Sequence, residues 1–345
     1  MTLADFGGWP GTLGALQANT DLTPEHTEAV LDVILAGEAT DAQIAAFIMG
    51  LRQKGETVDE LAGLVRAMHA AATPLAIAPG AVDIVGMGGA PSRRKAALNV
   101  STMACFVAAG AGAVVCKHGN RKASSTSGSF DLLDALGVNF DVAPERLSEI
   151  VGEVGVGFAF ARTFHPAMRH VGPVRAQLGI PTVFNVLGPL SNPGRLTRQV
   201  VGVADESLAD RMVEVLLATG SEHAWVVTGD GPLDELSTTG PTTVRALEGD
   251  SVSVFSLDPR ELDIPAPSDG ALDGGDAEVN AAITRRLFGG EQGAARDIVT
   301  LNAAAGLVVA GLASTIEQGM QQAAESIDSG AATAKLDALI EASRE

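Results

Sequence analysis

From residue 82 to residue 228 the chain alternates short apolar runs with stretches of helical spacing. The strand candidates are residues 82–85, 113–116, 156–161, 199–203 and 224–228. Helical patterning covers residues 130–136 and 208–218, and again 297–310. This alternation predicts a parallel or mixed sheet wrapped by helices. In such sheets ligands bind beyond the carboxyl ends of the strands. The loops that follow the strands are therefore where chemistry is to be sought. Residues 263–276 are rich in Pro, Gly and Asp and read as a loop without chemistry of its own.

The chain before Thr73-Pro74 has a different character. Thr23-Pro24 reads as an N-cap with Pro at the first helical position. Thr40 with Gln43, and Thr57 with Glu60, have the spacing of capping boxes. Behind them Val30, Val33 and Ile34, then Ile44, Phe47, Ile48 and Leu51, then Leu61, Leu64, Val65 and Met68 recur at helical spacing. The expected fold class is α/β with an all-α N-terminal domain. A small helical domain spans residues 1–76, joined in space by a helical segment near 165–185. A large α/β domain with a central, mainly parallel sheet spans 77–345.

Charge narrows the partners. A formal net charge of −19 repels a phosphate backbone, so no nucleic-acid partner is expected. With no Tyr and 4% aromatic residues, a base-stacking platform is also not expected. No apolar run reaches spanning length and the N-terminus lacks a signal-peptide pattern, so no membrane partner is expected. Cys105 and Cys116 lack zinc-like spacing and read as core side chains in a reducing cytoplasm.

Against that acidic background, four loops concentrate donors. Gly86-Met87-Gly88-Gly89-Ala90 follows a strand; alone it is either an ordinary turn or a place where amides approach an anion. Asn99-Val100-Ser101-Thr102 opens an apolar helix, either as a cap or as a holder of phosphate and a metal-bound oxygen. The basic run Arg93-Arg94-Lys95 lies between them, as a solvated loop or an electrostatic lid. The richest loop is Lys117-His118-Gly119-Asn120-Arg121-Lys122-Ala123-Ser124-Ser125, continuing to Ser129. Its cations, amide and hydroxyls form a cradle for a multiply charged anion. In the fourth loop Arg175 suits a carboxylate, while His165 and His170 read more readily as structural than as catalytic bases. Asp234-Glu235, beside such a cradle, are natural magnesium ligands.

Together KHGNRKASSTSGSFDLLDALGV, FHPAMRHVGPVRAQLGIPTVFNVLGPLSNP, DGPLDELSTTGPT and GGDAEVNAAITRRLFGGEQGAARDIVTLNAAAGLVVAG closely resemble the anthranilate phosphoribosyltransferase family. The resemblance covers nearly the whole chain. It implies a helical domain plus an α/β domain, a homodimer formed through the helical domain, and a cytoplasmic enzyme of tryptophan biosynthesis. The implied reaction is magnesium-dependent transfer of phosphoribosyl from 5-phosphoribosyl 1-pyrophosphate (PRPP) to anthranilate, with two Mg2+ ions accompanying PRPP.

The resemblance also implies roles. Gly86, Gly89, Ala90, Asn99, Val100, Ser101, Thr102, Lys117, His118, Gly119, Asn120, Arg121, Lys122, Ala123, Ser124, Ser125 and Ser129 would hold PRPP. Ser101, Asp234 and Glu235 would coordinate the metal. Gly86, Asn120, His118, His165 and Arg175 would line the anthranilate path, and Lys117, Asn120 and Arg175 would act in catalysis. One place departs from the family pattern: Gly-Thr-Gly-Gly-Asp reads Gly-Met-Gly-Gly-Ala, so Met87 lacks the hydroxyl and Ala90 the carboxylate. Arg93, Arg94 or Lys95 would then compensate by charge. The alternatives are transfer to another aromatic amine, a pyrimidine nucleoside phosphorylase, or a non-catalytic nucleic-acid-binding relative. The paired Asp234-Glu235 beside HGNR favours a pyrophosphate–magnesium substrate over a nucleoside.

Overall fold

The computed structural model describes residues 1–88, 98–121 and 127–345. Four helices come first: α1 (Gly8–Gln17), α2 (Pro24–Leu35), α3 (Asp41–Lys54) and α4 (Val58–Ala71). The caps form where their spacing places them. Thr23 accepts from the His26 amide, and Thr40/Gln43 and Thr57/Glu60 close reciprocal boxes.

Glu60 does more than cap. Its carboxylate is fully buried and accepts from the amides of Leu22 (2.9 Å) and Thr57 (2.9 Å) and from Lys54 Nζ (2.9 Å). A buried charge persists only when paired and hydrogen-bonded, as here. Gly63 lets α4 lie directly on α2: a Cβ there would stand 2.1 Å from the Pro24 carbonyl oxygen.

The rest of the chain builds β1 (Val82–Gly86), α5 (Val100–Gly110), β2 (Val115–Gly119), α6 (Ser129–Leu136), α7 (Pro144–Val154) and β3 (Val156–Phe160). Then come α8 (Ala161–Phe164), α9 (Gly172–Leu178), α10 (Val183–Leu190), β4 (Arg198–Gly202), α11 (Glu206–Ala218) and β5 (His223–Thr228). The hairpin β6 (Thr242–Glu248) and β7 (Ser251–Leu257) precedes α12 (Ala277–Phe288), α13 (Ala294–Val309), α14 (Ile316–Asp328) and α15 (Ala331–Ala342). The sheet order is β3-β2-β1-β4-β5-β6-β7, parallel through β5 and antiparallel thereafter.

Two cores cover the two faces of the sheet. Ile84 and Val200 face one, with α5, α13 and α15, while Val85 and Val201 face the other, with α2–α4, α10 and α11. Burial on both faces explains why these strands read as unbroken apolar runs. Val171, Val174, Val183, Phe184 and Leu187, from α9, α10 and the turn before them, share the second core with the N-terminal helices. No described helix is long and apolar enough to cross a membrane.

Two expectations are corrected. The second strand runs from Val115 to Gly119, so Lys117 and His118 belong to β2 and not to the loop after it. Their polarity hides the strand from a search for apolar runs. The hairpin β6–β7 is an addition: its strands meet at Glu248↔Ser251 across Gly249-Asp250, a two-residue turn signal.

Gly63→Ala should force α2 and α4 apart and cost about 1–3 kcal/mol of stability, the usual range for overpacking. Urea unfolding measures it; an unchanged midpoint would show that the helices are not held this closely.

Candidate active site

The strand order reverses at β1, which has β2 on one side and β4 on the other. The crevice at such a switch point is where a doubly wound sheet takes its ligand. Here β1 and β4 end together on a glycine pair, Gly86↔Gly202. The loop after β5 lays Asp234 across that pair. A Cβ on Gly202 would stand 1.8 Å from the Asp234 carbonyl oxygen, and one on Gly86 would stand 2.6 Å from its Oδ2. The Gly88 amide donates to the same Oδ2 at 2.6 Å, with Gly88 at φ +72°. Asp234 is thus seated by two strands and fixed by the loop that follows β1.

The following residues are anchored from below. Asn302, buried on α13, accepts from the Leu236 amide (3.0 Å) and donates to the Leu236 carbonyl (3.0 Å). This residue escaped the sequence reading; an Asn inside the apolar run LNAAAG is the signal that marks it.

α5 starts at the same edge, with Ser101 and Thr102 in its first turn. Asn99 does not cap the helix with its side chain. Instead its Nδ2 donates to the Ser127 carbonyl (3.1 Å), and its Oδ1 accepts from Ser127 Oγ (3.0 Å) and Asn280 Nδ2 (2.8 Å). The ends of two candidate loops are thereby tied together and to α12. Among the described residues no side chain caps α5 from its N-cap position, and the start of a helix is a ready place for an anion. Gly89, Ala90, the basic run Arg93-Arg94-Lys95, and Lys122, Ala123, Ser124 and Ser125 lie outside the described residues. Met87, where the family pattern has a hydroxyl, packs half-buried against the core shared with the helical bundle.

The residues of β2 and after it divide by environment. Lys117 is buried, its Nζ donating to the Ile84 carbonyl at 2.6 Å. Asn120 is exposed; its Oδ1 accepts from the Arg121 amide, and its carbonyl accepts from Ser129 Oγ at 3.1 Å. Gly119 is required there, since a Cβ would stand 2.5 Å from Ser129 Oγ. Arg121 is already paired with Asp131 (3.2 Å) and Asp134 (3.0 Å) and lies over the Phe140 ring. It can meet a phosphate only by sharing or leaving those carboxylates.

His118 and His165 are neutral fixtures. His118 Nδ1 lies 3.0 Å from the Gly188 carbonyl, and His165 Nε2 lies 2.9 Å from the Ser191 carbonyl. Their rings stand edge to face, 5.1 Å apart. Burial pushes His118 down to about 3 and His69 down to about 4, and lowers His165. His170 packs against Gly37, away from this pair. On α9, Arg175 is half-exposed, 3.4 Å from Asn185 Oδ1 and stacked over Phe184. Among the described residues it has no carboxylate partner, so its fork remains able to take one.

Asp234 and Glu235 offer hard oxygen donors at the crevice, which suits magnesium rather than zinc. No group of three His, Cys, Asp or Glu side chains able to hold a metal is found among the described residues. A magnesium ion here would therefore complete its shell with hydroxyl, water and substrate oxygens, as this ion commonly does.

A helical bundle, an α/β domain and an anion crevice at the switch point define a glycosyltransferase. Family models agree: "Glycosyl transferase family, helical bundle domain" matches residues 12–72, and "Glycosyl transferase family, a/b domain" matches 78–333. An anthranilate phosphoribosyltransferase of Nocardioides sp. is 49% identical over 95% of this chain and 97% of its own. One from Rhodopseudomonas palustris is 45% identical over 95% and 96%. The crystal structure of the Thermus thermophilus enzyme superposes with a TM-score of 0.91, at 40% identity, covering 97% of this chain and 99% of that one. The Saccharomyces cerevisiae enzyme in complex with PRPP and Mg gives 0.88 at 27% identity, covering 97% and 98%. The chain belongs to the anthranilate phosphoribosyltransferase family.

Stability should fall with acid. His69 and His118 sit below the usual 6.5, so their contribution is full above that pH and is lost as pH falls. Asp83, raised by burial to about 6 from 3.8, works the other way: stability rises as pH falls through 6 towards 4. The lowered His69, His118 and His165 outweigh the raised Asp83, so the urea midpoint should fall between pH 6 and 4. Urea midpoints at pH 7, 6, 5 and 4 measure the slope. His118→Gln should flatten it; an equal slope in that variant would contradict the assignment.

Proposed function

We propose that the protein transfers the phosphoribosyl group of PRPP to the amine of anthranilate, releasing pyrophosphate, in tryptophan biosynthesis. The observation that carries this reading is Asp234, seated on Gly86 and Gly202 at the switch point beside the uncapped start of α5. The relatives named above act as anthranilate phosphoribosyltransferases, and the yeast relative has been seen with PRPP and Mg bound.

In this reading the amides at the start of α5, Ser101 and Thr102 receive phosphate oxygens, with Gly86, Gly89, Asn99 and residues 117–125 around them. Asp234, Glu235 and Ser101 hold magnesium, two ions accompanying PRPP. Magnesium, when bound, neutralises charge that builds on the departing pyrophosphate. Lys117 places a buried positive charge beside the crevice, and the loop amides add fixed dipoles, so the site is organised before charge develops.

Arg175 and Asn120 orient anthranilate, the guanidinium taking its carboxylate. An aromatic amine is neutral at pH 7 and needs no strong base. The low basicity of His118 and His165 agrees with a role in lining the path rather than in removing a proton. Holding the amine against the ribose C1 can be worth roughly 7–11 kcal/mol when the geometry is good.

Two features of organisation belong to the same proposal. The small domain, residues 1–76 with the segment near 165–185, is supported by their common core and forms a homodimer. The enzyme works in the cytoplasm, where the buried, free Cys105 and Cys116 stay reduced.

Anthranilate fluorescence, followed with PRPP and magnesium, tests the reaction. It should decay with the unmutated protein and stay constant when magnesium is withheld. Asp234→Asn/Glu235→Gln should slow the decay by about 100-fold or more, the scale of losing charge stabilisation in a transition state. A decay unaffected by either change would contradict the metal site, and no decay in any sample would contradict the acceptor.

A further inference from the structure

The strands β1 and β2 carry the two loops assigned to PRPP, and they are joined unlike their neighbours. β1 and β4 share five register pairs and β2 and β3 share five, but β1 and β2 share one, Val82↔Val115. Beyond that pair the ladder is replaced by side chains. The Asp83 carboxylate accepts from the His118 amide at 3.3 Å. Lys117 Nζ donates to the Ile84 carbonyl at 2.6 Å. Asn192 Nδ2 bridges the Cys116 carbonyl (2.9 Å) and Asp83 Oδ2 (2.8 Å). The Ile84 and Cys116 carbonyls and the His118 amide, which a parallel pair would satisfy through backbone partners, are met here by side chains.

This arrangement is costly to keep. Asp83, Lys117 and Asn192 are 0%, 2% and 1% exposed, and buried charge is retained only with full pairing. Apolar residues at these positions would leave the two strands free to pair to their ends. The wedge also reaches the acceptor side. Asn192 lies just beyond α10, whose Gly188 carbonyl meets His118, and its own Oδ1 accepts from the Gly194 amide at 2.9 Å.

We propose that Asp83 and Asn192 are positioning residues that hold β1 and β2 apart and so set the spacing of their ends, Gly86 and Gly119, both assigned to PRPP. Neither touches substrate. Their effect passes through the strands to those two glycines. The inference rests on the reading of the site given above.

Exchange of the pair tests it. Asn192→Asp sets two carboxylates face to face, whereas Asp83→Asn/Asn192→Asp restores one donor and one acceptor in reversed order. Calorimetry with PRPP and magnesium reads the spacing without turnover, and fluorescence of the unmutated protein tests the reaction separately. Asn192→Asp should weaken PRPP binding by about tenfold or more, the scale of disturbing a hydrogen bond to a charged group, and the double variant should recover part of that loss, the Cys116 carbonyl still lacking its donor. The KM for anthranilate should move less than the PRPP Kd. Asp83→Asn keeps the side-chain volume and serves if Asn192→Asp does not fold; it too should weaken PRPP binding. A melting temperature that falls while PRPP affinity stays constant would overturn the proposal. So would a double variant no better than Asn192→Asp.

Discussion

The Asp234 carboxylate lies over Gly86 and takes the Gly88 amide, while its backbone carbonyl lies over Gly202. Three separate segments therefore meet at one acidic residue: the end of β1, the end of β4 and the loop after β5. None tolerates a larger residue at the contact, because a Cβ on either glycine would overlap Asp234. The pairing Gly86↔Gly202 puts both glycines at one level, and parallel pairing of β1 with β4 fixes that level. The position of Asp234, the proposed magnesium ligand, is thus a consequence of sheet register.

The helical half serves the same site from the other face. Glu60 joins the α3–α4 turn to Leu22 and Lys54, which makes the N-terminal helices one body. α10 belongs to that body through Phe184 and Leu187, and to the sheet through the contact of Gly188 with His118. Arg175 and Asn185 sit on this bridge. The proposed acceptor side and the proposed phosphate side are consequently carried by different layers that join at β2.

Much of this is written locally in the sequence. The capped helices and the apolar strands follow from spacing and turn chemistry, which act over a few residues. The polar residues of β2 do not, because Lys117 and His118 look like loop residues until their partners, Ile84 and Gly188, are supplied by distant segments. The same holds for Asn99, which reads as a helix cap but is taken by Ser127 and Asn280, the latter 181 residues away. Asp83 and Asn302 lie inside apolar runs and carry no local signal of what they hold. Asp234-Glu235 stood out only through resemblance and neighbouring loops, since adjacent carboxylates are ordinary on a surface.

The most direct test of the account is the magnesium dependence of Gly202→Ala. The added Cβ would lie 1.8 Å from the Asp234 carbonyl oxygen, so the loop must move while every proposed metal ligand remains. The account predicts a folded protein whose PRPP turnover needs about tenfold more magnesium for half-saturation, a shift of roughly 1.4 kcal/mol in metal binding. Unchanged magnesium saturation and unchanged turnover in that variant would contradict the claim that the glycine seat places Asp234.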